Sequence, residues 1–408
     1  MKRAGYADLP LHYGRVPTWL ATRMSRLGRA IVESILLEYG KAEVLRRLSD
    51  PLWFQSFGCV LGMDWHSSGI TTSVMGALKR SINPISKELG IYICGGRGRH
   101  SRRTPAELYQ MADKTGLDGR YLSRCSRLSA KVDNSTVQDG FQIYLHNFIV
   151  TDEGDWAVVQ QGMNGHNGMA RRYHWHSSQL DSFIEDPHTW ICGTQQDAIL
   201  NLTDCEAGAT RQGILDISMQ SPRIMLPEIR KALLPRHHDV RAKDVNMKRL
   251  GSAIALAYEE DTRDFESLLL LKGVGPRTIQ SLALVSEIIY GTRSRFSDPA
   301  RFSFAHGGKD GHPFPVPTRV YDETINQLHQ AVRKAKLGQS DKKEAIQSLH
   351  QMAKGIEKDF IPNNRMQDLV EKEWREAPLY GGRTTMDDPP RRSSAKRRKA
   401  PTRQLRLF

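Results

Sequence analysis

The stretch FQIYLHNFIVTDEGDWAVVQQGM, residues 141–163, decides the fold. Two apolar runs, Phe141–Val150 and Trp156–Met163, flank the acidic, glycine-containing turn TDEGD. That pattern predicts a β-hairpin. Upstream, IYICGG (91–96) reads as a buried strand, and LWFQSFGCVLGMDWHSSG (52–69) as another that ends in a polar turn. Between them ITTSVMGALKRSINPISKEL (70–89) has helical spacing, so strand, helix and strand suggest a parallel α/β unit. Residues 17–48 carry apolar positions at helical spacing, one helix or two. TPAELYQMADKTG (104–116) starts with a capping-box pattern, Thr104 at N-cap, Pro105 at N1 and Glu107 at N3.

Downstream, 165–245 reads as irregular and rich in His and Arg, and 246–295 becomes helical. A Gly/Pro-punctuated loop follows over 296–320, then polar helices over 322–375 and, after Tyr380, a disordered tail. The expected architecture is an α/β N-terminal domain (a mixed sheet with helices) followed by an all-α region. The divisions are 1–245, a nuclease or phosphate-handling domain; 246–330, a DNA-binding helical region; 331–380, a helical extension; and 381–408, a disordered basic tail.

A chain of 408 residues, 39% hydrophobic and 25% charged, has the composition of a globular protein with a sizeable core. No apolar run reaches the roughly 18 residues that span a bilayer, and the start, MKRAGYADLPLHYGRVP, lacks the apolar stretch of a secretory signal. Five scattered cysteines (59, 94, 125, 192, 205) form no CxxC pair, which fits a reduced cytosol and argues against a zinc ribbon or a disulfide framework. Lys and Arg number 59 against 45 Asp and Glu, a net charge of +14 that makes polyanions the first partner class. From Gly382 to Phe408 nine Lys/Arg face two Asp, so the tail holds +7 of that total.

LLLLKGVGPRTIQSLALVSEII, 268–289, carries the clearest motif. An apolar helix runs into Lys272-Gly273-Val274-Gly275, and a second begins near Thr278. Glycines allow a sharp turn whose N–H groups meet phosphate oxygens beside a helix N-terminus, with Lys272 and Arg277 flanking the anion. This resembles the helix-hairpin-helix element of DNA repair and recombination proteins, which grips the backbone without reading sequence. The resemblance also raises base-excision glycosylases. Where bifunctional members carry a lysine, this chain has Arg277, which cannot form a Schiff base. Pro317 stands where an aspartate would be expected, and Asp322 leaves a monofunctional glycosylase open.

The chain ends in Gln404-Leu405-Arg406-Leu407-Phe408. Apolar side chains on a disordered segment wait for a partner's pocket. The pattern resembles the peptide by which bacterial replication and repair proteins dock on the sliding clamp. Gln404 would contact the mouth of a hydrophobic cleft, and Leu405, Leu407 and Phe408 would fill it. Four fixed residues in five arise by chance about once in a hundred thousand positions at ordinary residue usage.

Polar groups gather in the first two hundred residues. GMDWHSSGITT places Asp64, His66, Ser67 and Ser68 before a helix, and CGGRGRHSRRTPAE places Arg97, Arg99, Arg102 and Arg103 at a strand end. Neither matches a Walker loop or a dinucleotide fingerprint, and contact with the DNA backbone suits the arginines. His146, Gln160, Gln161, His174 and His176 fall at or near strand positions. Asp64 with His66 and His174 could hold a divalent metal, Mg or Mn, for phosphodiester cleavage, with His66 or His146 as general base and Gln161 close by. Against this stands the ordinary role of a strand histidine as a hydrogen-bonded structural group.

The stretches DWHSSG, GGRGRHSRRTP, WAVVQQGM and RRYHW together resemble an uncharacterised archaeal and bacterial domain-of-unknown-function family (DUF seven-six-three type), over most of residues 1–330. The resemblance is nearly silent on activity. The sequence reading favours a bacterial, cytoplasmic, nucleoid-associated protein of DNA maintenance, a metal-dependent DNA nuclease tethered to the sliding clamp, with no membrane partner. A non-catalytic clamp-recruited adaptor and a monofunctional glycosylase are the alternatives.

Overall fold

The computed structural model describes residues 16–300 apart from 64–66, 194–195, 197–198, 233–244 and 293, together with 316–317, 375–380 and 382–383. Asp64, His66, Asp322, most of the expected helical extension and the terminal peptide Gln404–Phe408 lie outside these residues. The chain opens with α1 (Thr18–Ser49), interrupted at Gly40, where the backbone leaves the helical region. It continues through α2 (Pro51–Val60), α3 (Gly69–Ile82), the short α4 (Ser86–Leu89) and β1 (Ile91–Arg97). Next come α5 (Thr104–Thr115), α6 (Gly119–Ser135), β2 (Val137–Gln138), β3 (Gln142–Thr151), β4 (Trp156–Asn164), β5 (Met169–His176), β6 (Trp190–Cys192) and β7 (Leu200–Asn201). Helices α7 (Gly208–Met219), α8 (Pro222–Ala232), α9 (Met247–Glu259), α10 (Phe265–Leu270) and α11 (Pro276–Tyr290) complete the described core.

The hairpin of 141–163 forms as its sequence implies, β3 against β4 around Thr151–Asp155. It is the centre of a five-stranded sheet in the order β1-β3-β4-β5-β6. Every pairing in that sheet is antiparallel, which corrects the expected mixed sheet and parallel unit. The supposed strand at 52–62 is the helix α2. Asp50 caps it by accepting from the Trp53 amide at 2.9 Å, and Pro51 pre-sets its first turn. Its apolar run shows no polar period because its outward face carries Trp53, Cys59 and Val60, and such a short helix and a buried strand share that signature.

Ile91, Ile93, Ile149, Ala157 and Val159 face α1–α3 on one side of the sheet. On the other, Cys94, Phe148, Val150, Trp156, Val158 and Trp175 share one apolar core with α5–α11. The stretch read as irregular, 165–245, contains β5, α7 and α8. Its arginines misled because Arg171 is buried inside β5, bidentate to Asp298 at 2.9 and 2.7 Å and 3.1 Å from Asp139. That ion cluster fastens the Asp298 segment to β5.

The capping box at Thr104 does not form. A 3-10 turn over Gly98–Arg103 runs straight into α5, so Thr104 Oγ1 donates to the Ser101 carbonyl at 2.7 Å instead of capping. Glu107 turns away to accept from Lys79 and the Gly95 amide, at 2.6 and 2.8 Å. Gly95 sits at φ +94°, and a Cβ there would lie 2.2 Å from the His146 carbonyl oxygen. Backbone atoms cannot yield to that contact, so Gly95→Ala is expected to cost about 3 kcal/mol or more. Thermal unfolding followed by circular dichroism checks it, and an unchanged melt contradicts the assigned packing.

Candidate functional site

Two cationic features stand at the surface. The first is the connection from β1 to α5, where Arg97, Arg99, His100, Arg102 and Arg103 are all exposed. The fold holds this segment from beneath: Lys79 Nζ donates to the Gly95 carbonyl at 2.6 Å, and Ser101 Oγ to that of Gly98 at 2.5 Å. Arg97 lies 5.6 Å over the Tyr144 ring. With backbone and small side chains anchored inward, the arginines are left to the solvent.

The second is the turn between α10 and α11. Val274 is buried in the core while Lys272, Gly273 and Arg277 are exposed, and Thr278 is buried one turn into α11. Gly273 adopts φ +90°, a conformation that favours glycine. Nothing lies within 4 Å of where a Cβ would stand on Gly273 or Gly275. Among the described residues the N–H groups of both glycines have no hydrogen-bond partner. Such amides, a helix N-terminus and two flanking cations form a surface suited to an anion.

Helix α6 joins this turn to the sheet. Arg120, Arg124 and Arg127 are exposed along it at i, i+4 and i+7, and Arg124 pairs with Glu266 at 2.8 Å. Lys131 is buried and donates to the Val274 carbonyl at 2.6 Å. Burial, and then the charge of Arg127, pulls its ammonium down to about 8. The sequence reading missed Lys131, because a lysine next to a valine in a Ser-rich helix looks like any solvated one.

Of the histidines proposed for catalysis, His146 and His174 do not converge, and His66 lies outside the described residues. His146 faces α6. Its Nε2 is 2.8 Å from Ser126 Oγ and its Nδ1 2.7 Å from Gln160 Oε1. Gln160 donates in turn to the buried Asp133, which also accepts from Trp175 Nε1 at 3.0 Å and pairs with His188. Gln161 and His174 point to the opposite face, against α1–α3, since neighbouring strand residues alternate. Gln161 donates to the Ser68 carbonyl at 3.0 Å and to Tyr144 at 2.6 Å, and accepts from Thr71.

His174 Nε2 accepts from Arg172 Nε at 2.9 Å. A nitrogen that accepts from a guanidinium has its lone pair engaged, and a cation beside it repels a metal, so His174 does not fit the proposed metal set. Arg172 is itself wholly buried, 4.8 Å over the Phe54 ring and 3.4 Å from Thr71 Oγ1. Among the described residues no group of three or more His, Cys, Asp or Glu is placed to hold a metal ion. Nor is any helix among them long and apolar enough to cross a membrane.

Burial holds the His146 pKa at about 4. The folded state therefore binds fewer protons than the unfolded chain between about 6.5 and 4, and stability falls as pH drops through that window. His174 and His176 are depressed in the same direction, again chiefly by burial. Lowering pH from 6.5 to 5 is expected to cost about 2 kcal/mol through His146 alone. Urea titrations of the wild type and of His146→Gln check this, and the variant should show the shallower pH dependence.

The family model described as "Protein of unknown function (DUF763)" matches residues 5–316, more than half of the chain. No curated protein and no solved structure matches it. The matched span takes in the sheet, both cationic features and the whole of α6. On that extent, the chain belongs to the DUF763 family.

Proposed function

We propose that this protein is a DNA-binding adaptor of replication or repair that holds the DNA backbone without reading its bases. The turn Lys272–Thr278 receives phosphate oxygens on the amides of Gly273 and Gly275, with Lys272 and Arg277 beside them. The segment Arg97–Arg103 adds cationic contacts, and the terminal Gln404, Leu405, Leu407 and Phe408 moor the chain to the bacterial sliding clamp.

One observation carries the reading: the amides of the exposed Gly273 and the half-buried Gly275, unpartnered among the described residues and lying between two exposed cations. Amides and cations of this kind meet phosphates and not base edges, so binding is independent of sequence and weakens with salt. The clamp contact rests on the terminal peptide and on the net charge of +7 over residues 382–408, which favours DNA nearby. Hydrolysis is the weaker reading, because Gln161 and His174 are engaged in structural hydrogen bonds and His146 lies across the sheet from them.

Fluorescence anisotropy with a labelled duplex tests the binding. Affinity should fall by about tenfold or more between 50 and 200 mM salt, as for a few phosphate contacts. The double variant Lys272→Ala, Arg277→Ala should lose about tenfold on every duplex sequence alike. Deleting residues 404–408 should leave DNA affinity unchanged while abolishing capture by purified clamp. No binding at low salt would overturn the reading. Cutting of the probe in Mg²⁺ or Mn²⁺ would restore the nuclease, and release of a free base from lesion-bearing duplex the glycosylase.

A further inference from the structure

We infer that α6 aims the phosphate-binding turn, and that buried Lys131 is its positioning residue, acting through the peptide unit between Val274 and Gly275. The inference rests on the DNA-backbone reading above and names the group that makes its amides available.

Three side chains on α6 and β2 reach across 138 to 143 residues of sequence to carbonyls of the turn and its flanks. Arg127 Nη2 donates to the Leu270 oxygen at 3.2 Å, Lys131 Nζ to that of Val274 at 2.6 Å and Gln138 Nε2 to that of Pro276 at 2.8 Å. In a trans peptide the C=O and the N–H of one unit point in opposite directions, and no peptide bond described here is cis. Pinning the Val274 oxygen against α6 therefore points the Gly275 N–H away from α6. Pinning the Pro276 oxygen does the same for the Arg277 N–H.

Lys131 adds more than direction. An ammonium held on a carbonyl polarises the whole peptide unit and strengthens its N–H as a donor. Lys131 and Val274 are both buried, so solvent screens that effect little. The charge also stands behind the spot where a phosphate oxygen would sit. Gln138 orients without charge, so the two residues separate direction from electrostatics.

The test compares Lys131→Met, Lys131→Arg and Gln138→Leu in the full chain, by anisotropy with a labelled duplex and by thermal melting. Lys131→Met is expected to bind about tenfold more weakly with Lys272 and Arg277 intact. Lys131→Arg should recover affinity to within about threefold, since it keeps both donor and charge. Gln138→Leu should lose about threefold at unchanged net charge. If Lys131→Met fails to fold, the other two variants decide.

Binding as wild type by Gln138→Leu, and by Lys131→Met where it folds, while the Lys272/Arg277 double variant is impaired, overturns this inference and leaves the DNA-backbone reading standing. A double variant that binds as wild type, or a wild type that does not bind, overturns that reading itself.

Discussion

Helix α6 has to satisfy polar groups on two sides at once, and the structure depends on its doing so. Toward the sheet, Asp133 accepts from Gln160, Trp175 and His188, and Ser126 meets His146. Toward the turn, Lys131 and, just beyond the helix, Gln138 take carbonyls that the core would otherwise leave unpaired. A buried carboxylate with three donors fixes distance and rotation more tightly than apolar contact does, because each donor is costly to leave unmet. The same rotation that seats Asp133 on the sheet delivers Lys131 to the turn, two residues earlier on the helix. Sheet and turn are thus held in one register by one element.

Much of the architecture was legible where local pattern and burial agree. The 141–163 hairpin alternates around a polar turn, and the helices of 246–295 carry regular apolar stripes. Legibility failed where an outward face was apolar or an enclosed residue was charged. The run at 52–62 has no polar face, so it reads equally as strand or helix until Asp50 is seen to cap it. Arg171 and Arg172 make β5 look like exposed loop. One is neutralised by Asp298, 127 residues away, and the other is enclosed by Phe54, Thr71 and His174. Pairings at such separation leave no trace in a local window.

The candidate site divides along the same line. Lys272, Gly273, Val274, Gly275, Arg277 and Thr278 were readable because a glycine turn between apolar helices is a local pattern, and Val274 does plug the core. The arginines of 97–103 were readable from density alone, and all four expected ones are exposed. His146 and His174 were not, because which sheet face a strand residue takes depends on register between strands. Both proved buried, and burial holds their rings neutral, in an environment set by residues from α6 and β4 in one case and from β5 in the other. Lys131 was invisible for the opposite reason: nothing local distinguishes a lysine that reaches a distant carbonyl.

The central claim concerns two backbone amides. Their most direct measurement is an ¹H–¹⁵N spectrum of the labelled protein titrated with a short duplex at low salt, followed through the Gly273 and Gly275 signals. The account predicts that these two amides move the most and become protected from exchange with solvent once DNA is bound. DNA binding that leaves both amides unshifted and freely exchanging would contradict it.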